Sequence, residues 1–273
     1  MAVTSFLACC LIAVGQVTPI ASGNNSGQWM NITILITRPD PEASRFAAQL
    51  RVEFGTSVSL LSAPLMTIVY GGSLPDLTGQ EILIFTSRQG VTGFCRLSAR
   101  RDFSCYAVGD ATAAAARAAG LAVVSAGGDA DTLLSRIAED GKPGPFLHLR
   151  GAHVAADVAG ALRAMDCTAD EVVVYEQVEV EMGRAAQDRL AESGPVIVPM
   201  MSPRSARLFF EQAQAIKAPL LVAAISRKVA QMVPEGATFA LQIAETPDVA
   251  GLIKALHDLV TEAKRLERYN TPQ

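Results

Sequence analysis

Six short polar segments of this 273-residue chain each follow an apolar run and open a helical stretch. They hold most of its residue types that could bind or transform a ligand. Arg38 follows ILIT; Thr86, Ser87 and Arg88 follow ILIF; Gly109, Asp110 and Thr112 follow YAV. Further on, Arg150 and Gly151 follow FLHL, Ser202, Arg204 and Ser205 follow VIVPMM, and Ser226, Arg227 and Lys228 follow LVAAI. A helix N-terminus presents free backbone N–H groups and the positive end of the helix dipole, so each segment suits an anion. With Arg38, Arg88, Arg150, Arg204, Arg227 and Lys228 all at such positions, the pattern predicts two cationic rims and a ligand bearing several separated negative charges. A simpler use competes with this one. Ser87, Ser202 and Thr112 are good N-caps, each worth about 1 kcal/mol with no ligand, and Gly109 permits a tight strand-to-helix turn.

Tyr175 is of another kind, because it ends the apolar run EVVVY where a longer extended stretch begins. A phenol has a reference pKa of about 10 and keeps its proton at neutral pH, so it could donate to a departing oxygen. Its bland alternative is an amphipathic ring packed at a hinge. Other chemistries lack their marks. The segment GDATAAAARAAG does not have GxGxxG spacing, and neither GxSxG nor HExxH occurs. Asp129 and Asp131 flank a helix start and read as caps. The cysteines (Cys9, Cys10, Cys95, Cys105, Cys167) form no CxxC pair and His148, His153 and His257 are scattered. Neither a zinc site nor a disulfide framework is expected.

The elements that must position these residues alternate. Strands are predicted at 32–36, 57–61, 82–86, 104–108, 121–125, 145–149, 170–174, 195–199, 219–224 and 238–243. Helices are predicted at 41–53, 89–98, 111–119, 130–139, 152–164, 184–193, 204–215, 226–232 and 248–267. The strands are near-continuous apolar runs, as in parallel sheets covered on both faces, and the alternation predicts doubly wound α/β sheets. In such sheets ligands bind at the carboxyl ends of the strands, where all six segments fall.

The pattern also occurs twice. Residues 34–50 lie over 146–162 at an offset of 112, matching Leu35, Arg38, Ala43, Ala47 and Leu50 with Leu147, Arg150, Ala155, Ala159 and Leu162. Ser87 matches Ser202 at 115, Val108 matches Ile225 at 117, and Leu133 matches Leu252 at 119. So long a repeat is a duplicated half-molecule rather than a solenoid unit. Two extended segments, 63–72 and 175–183, break the alternation at matching places. They predict two crossings between lobes, so that one lobe is discontinuous: 30–64 plus 180–266 form one domain, 72–172 the other, and 65–71 and 173–179 the linkers.

Half of the residues are apolar and 18% are charged, which fits an ordered α/β protein. The net charge of −4 argues against a general nucleic-acid binder, so an anionic ligand must be met by local positive groups. Residues 1–29 open without Lys or Arg, and their apolar core, 6–14, is too short to span a bilayer. They are expected to stand outside the fold, with Met30 as the natural start; an export signal is the alternative reading. A cytoplasmic monomer without membrane or nucleic-acid partners is expected.

Five motifs carry a family resemblance: TRP at Thr37–Pro39, FTSRQGV at Phe85–Val91, AVGDATA at Ala107–Ala113, VYE at Val174–Glu176 and SPRSA at Ser202–Ala206. In this order, on a duplicated plan and over about residues 31–262, the chain resembles the uroporphyrinogen-III synthases. The resemblance implies two α/β lobes joined by a two-stranded connector, the first built from both chain ends, with the active site in the cleft between them. It implies no cofactor and a small-molecule substrate, hydroxymethylbilane, whose eight carboxylates would suit the cationic rims. It assigns Tyr175 to catalysis and, on the AVGxxTA segment, Thr112 to substrate. Arg38, Thr86, Ser87, Arg88, Gly109, Arg150, Gly151, Ser202, Arg204, Ser205 and Ser226 complete the expected binding set. The second repeat departs from the family pattern, with Ser226 and Val229 where Gly and Thr are usual and MMS at Met200–Ser202 in place of FTS. Two other readings compete: a two-lobed receptor for an anionic solute, and a regulatory domain that keeps the fold without the chemistry.

Overall fold

The structure, a computed structural model, describes residues 32–141, 144–153 and 156–269. The expectation for residues 1–29 lies outside the described residues. In chain order the first half runs β1 (Thr33–Ile36), α1 (Glu42–Phe54), β2 (Ser59–Ser62), β3 (Met66–Tyr70), β4 (Ile82–Phe85), α2 (Arg88–Leu97), β5 (Ser104–Ala107), α3 (Asp110–Ala118), β6 (Ala122–Ser125) and α4 (Ala130–Glu139). The second runs β7 (Phe146–Gly151), α5 (Val158–Ala164), β8 (Ala169–Glu179), α6 (Arg184–Ala191), β9 (Val196–Met200), α7 (Pro203–Gln212), β10 (Leu220–Ala224), α8 (Arg227–Ala230), β11 (Ala240–Ile243) and α9 (Val249–Tyr269).

Two sheets result, one ordered β11-β10-β9-β1-β2 and the other β3-β8-β7-β4-β5-β6. The first is parallel throughout, and the second is parallel except for its edge strand β3. Successive side chains of a strand go to opposite faces. In the first sheet Leu35, Val198 and Val222 therefore pack with Leu190 and Phe209, while Ile34, Ile197 and Leu221 pack with Phe46, Leu256 and Leu259. In the second, Leu83, Phe85 and Leu149 meet Phe94 and Phe103, and Ile84 and Phe146 meet Leu133, Ile137 and Leu162. Two apolar faces per strand are why the sequence shows continuous apolar runs rather than alternation.

Each sheet draws on both repeats. Ile34 lies opposite Ile197 in the first sheet, and Phe146 lies opposite Ile82 in the second. The same offsets seen in sequence, 112 from 34 to 146 and 115 from 82 to 197, carry one pair onto the other. Leu83 opposite Cys105 and Val198 opposite Val222 are likewise equivalent. Strands β1 and β2 thus complete β9–β11, and β7 and β8 complete β4–β6. Arg189 fastens the first union: its guanidinium donates to Thr33 Oγ1 at 2.8 Å and to the carbonyls of Gly194 and Pro195, each at 3.0 Å.

The two crossing segments pair antiparallel as expected, but the bounds of the second differ. Residues 173–179 are not a separate linker but the continuation of β8, which leaves β7 at Tyr175 and goes on against β3. That antiparallel ladder sets Met66 opposite Glu179, Ile68 opposite Gln177 and Tyr70 opposite Tyr175. Ile34 pairs with Leu60 and Phe146 with Ala169, so the repeat offset here is 109 (60 to 169), not 112. Helix α5 starts at Val158 rather than 152, because the Asp157 side chain accepts the Gly160 N–H at 2.8 Å and caps it there. Ser87, Ser202 and Asp129 cap α2, α7 and α4, whereas Thr112 lies inside α3 behind Gly109. Among the described residues no helix is long and apolar enough to cross a membrane.

Candidate functional site

The carboxyl ends of both sheets open onto one cavity of about 410 Å³, within the range of small-molecule sites. The first sheet contributes Arg38 and Pro39 after β1, and Met201, Ser202 and Ser205 after β9. From the second come Ser87, Arg88 and Gln89 after β4, and Ala111 and Thr112 after β5. The ladder forms the remaining wall with Met66, Ile68, Tyr175 and Gln177. A second cavity of about 270 Å³ adjoins it, sharing Ser87 and Tyr175 and bounded also by Thr86, Gly151 and His153.

Tyr175 is held between the two. Its Oη lies 3.0 Å from Ser87 Oγ, and that oxygen also accepts the Gly90 N–H at 3.1 Å. With the Ser87 proton directed at the phenol oxygen, the Tyr175 proton is free to be given to a ligand. Gly151 makes room for the ring: a β-carbon there would stand 2.6 Å from Cζ and 2.9 Å from Oη. Behind it, Tyr70 donates to Gln89 Oε1, and the Arg96 guanidinium lies 4.2 Å from the centre of the Tyr70 ring.

Charge in the main cavity centres on Glu42, the first residue of α1. Its Oε1 pairs with Arg45 at 2.7 Å, and its Oε2 contacts Arg88 from the other sheet and stands 4.0 Å from Arg38. Burial pulls the Arg38 pKa below its ordinary value, with Glu42 opposing and Arg88 reinforcing that shift. Thr86, which lines the adjoining cavity, places its Oγ1 3.1 Å from Nε2 of the buried His148. Burial lowers the His148 pKa to about 4, Glu171 and Asp157 pulling it up and Arg150 pushing it down, so the imidazole is neutral near pH 7.

Of the expected residues, Arg38, Ser87, Arg88, Thr112, Tyr175, Ser202 and Ser205 meet in the main cavity, and Thr86 and Gly151 in the second. Gly109 lines neither; its carbonyl accepts the N–H groups of Thr112 and Ala113 at the head of α3. The two rims of cations do not form as expected. Arg150 pairs with Glu171 on the neighbouring strand and donates to its own Gly151 carbonyl at 2.9 Å. Arg204 reaches the Gln177 carbonyl and Glu179, each at 3.2 Å. Ser226 and Arg227 line a separate, open cavity of about 750 Å³ beside β11. Glu42, Gln89, Gln177, Met66 and Ile68 were not anticipated. Strand alternation could have found Gln177 two residues beyond Tyr175, and it pairs Met66 with Ile68 in the same way. Among the described residues no group of three or more His, Cys, Asp or Glu side chains could hold a metal ion.

Comparison with known proteins bears on the same site. The family model described as uroporphyrinogen-III synthase HemD matches residues 45–254. The uroporphyrinogen-III synthetase of Helicobacter pylori superposes with a TM-score of 0.61 at 17% identity, covering 83% of this chain and 99% of its own. A mutant uroporphyrinogen III synthase of Thermus thermophilus matches at 14% identity and a TM-score of 0.47, covering 85% and 99%. A search of the curated proteins finds no match. The first superposition supports the fold, and the family model spans most of the sequence, including the segments that carry Ser87, Thr112, Tyr175 and Ser202. This chain belongs to the uroporphyrinogen-III synthase family.

Proposed function

We propose that the chain closes hydroxymethylbilane to uroporphyrinogen III, with inversion of ring D and release of water, in the cavity between its two sheets. The reaction begins with loss of the terminal hydroxyl as water, leaving an electrophilic azafulvene. Ring D attacks through its own substituted position, and the resulting spiro intermediate fragments and recloses with that ring inverted. A free bilane closes without inversion. The protein's contribution is therefore to hold the ends in an unusual approach and to keep water from the electrophile.

The observation that carries this reading is the Tyr175–Ser87 hydrogen bond in a wall shared by two cavities. Ser87 donates to the phenol oxygen, and Tyr175 gives a hydrogen bond or proton to the departing hydroxyl. Such assistance typically contributes 10²–10⁴-fold, about 3–5 kcal/mol. Tyr175→Phe should thus impair turnover without abolishing it, and full activity in that variant would remove the role. Arg38 and Arg88 take substrate carboxylates, together with backbone N–H groups heading α2, α3 and α7. Met66 and Ile68 supply an apolar wall against the pyrrole rings. On this reading residues 30–64 with 180–266 and residues 72–172 act as two domains about the ladder, in a cytoplasmic monomer that needs no cofactor.

Incubation with enzymatically generated hydroxymethylbilane is the test. The proposal expects the type III isomer in excess. A receptor or regulatory protein would leave the type I isomer of spontaneous closure.

A further inference from the structure

One carboxylate at the cavity wall faces three guanidinium groups. Glu42 presents Oε1 to Arg45 and Oε2 to Arg88, while Arg38 stands at 4.0 Å, beyond hydrogen-bonding distance. The cluster keeps an excess of positive charge in a chain whose net charge is −4. Its members come from both sides: Arg38 lies between β1 and α1, and Glu42 and Arg45 in α1, beside the first sheet, whereas Arg88 heads α2 of the second. Glu42 lines the cavity with Arg38 and Arg88, and its side chain is 14% exposed.

We propose that Glu42 is an internal stand-in for a substrate carboxylate, holding Arg88 across the mouth of the cleft until a carboxylate of the ligand takes its place. The proposal rests on the reading that Arg38 and Arg88 bind substrate. A ligand carboxylate seated between them hydrogen-bonds Arg38, which Glu42 holds only as a long ion pair at 4.0 Å, and draws Arg88 away. Glu42 stays neutralised after the exchange by Arg45 and by the N-terminal dipole of α1. Glu42 is thus a positioning residue. It keeps two arginines of different lobes near one point, and it competes with the substrate for one of them.

Glu42→Gln in the full chain tests this, since it keeps the shape and removes the charge. A partly exposed ion pair is worth up to about 1 kcal/mol, or roughly fivefold in an equilibrium. The expected result is a KM for hydroxymethylbilane about fivefold lower with kcat little changed. The radius of gyration, measured by small-angle scattering without substrate, should rise as the lobes part. Arg88→Gln should also raise the radius of gyration, but with a higher KM. A higher KM in Glu42→Gln would make Glu42 a contributor to binding and overturn the proposal. So would a lower KM with unchanged scattering, which is a general charge effect on a polyanion, and so would no change in either. Failure of the wild-type protein to form the type III isomer would instead remove the catalytic reading, while the scattering difference still reports on the Glu42–Arg88 contact.

Discussion

Gly151→Ala isolates the placement of the Tyr175 ring from its chemistry. The added methyl would lie 2.6 Å from Cζ, 2.8 Å from Cε2 and 2.9 Å from Oη of Tyr175. Carbon atoms settle at about 3.5–4.0 Å, so the ring must retreat by roughly 1 Å. That movement stretches the 3.0 Å contact with Ser87 Oγ past hydrogen-bonding distance. Overpacking of this kind costs about 1–3 kcal/mol of stability, and a misplacement of about 1 Å at a reacting group can cost about 10²-fold in rate. Turnover is therefore expected to fall about a hundredfold while the fold persists. Chromatography of the type III and type I isomers, with a thermal melt on the same samples, measures both effects. The decisive comparison is a double-mutant cycle with Tyr175→Ala, in which no ring remains to be displaced. On that background Gly151→Ala should cost almost nothing in either measurement. Undiminished turnover in the single variant, or an equal loss on both backgrounds, would refute the reasoning.

The pH dependence of stability should carry the signature of His148. Its pKa is about 4 in the folded protein against 6.5 ordinarily, so below pH 6.5 the unfolded chain takes up a proton that the folded one refuses. Stability is then fully present above pH 6.5 and falls by about 3 kcal/mol as the pH drops towards 4. Urea midpoints across that range should show a shallower decline in His148→Gln, and an identical slope would rule the group out. Ser87→Ala removes both a helix cap and the partner of Tyr175. It should lower Tm by about 2–4 °C and turnover by about tenfold, whereas Asp129→Ala, which removes the cap of α4 only, should lower Tm alike and spare turnover. Residues 72–172, which hold β4–β7 and the start of β8, should melt cooperatively by circular dichroism, while residues 30–144 lack β7 and β9 and should not. The reverse outcome would refute the division into lobes.

Strand and helix positions were legible because local signals fix them: continuous apolar runs, Ser or Asp caps, and the recurrence at 112–119 residues. The equivalence of Ile34–Ile197 with Phe146–Ile82 carries that recurrence into strand register. Side-chain direction at the strand ends was not legible. Arg150 matches Arg38 across the repeat, yet it lies inside β7, where Arg38 follows β1, and it turns to Glu171 of the neighbouring β8. That neighbour is set by lateral strand order, which no window of sequence contains. Arg204 is similarly taken up by Glu179 of the ladder. The length of β8 was hidden because nothing in EVVVYEQVE marks the point where one partner strand gives way to another. The site itself was half visible. Hydroxyls and glycines after strands pointed to the edge where the cavity lies, but the carboxylate that contacts the arginines, Glu42, looked like an ordinary first-turn acid of a surface helix.

The β3–β8 ladder is centred on Ile68 and Gln177, and a dyad through that centre exchanges Met66 with Tyr175. Both side chains line the main cavity, so mirrored positions bring a thioether to one flank and a phenol to the other. A linear tetrapyrrole has two unlike ends, and only one carries the hydroxyl that must leave. An enclosure with identical flanks would admit it in either sense and waste half of its encounters. On the role proposed for Tyr175, a phenol on one flank alone would let this pair of residues favour one direction of the bilane. Moving the phenol across the dyad, as Met66→Tyr with Tyr175→Met, should then require the substrate to enter reversed, and the loss of type III product in that exchange would measure how much of the direction this one pair sets.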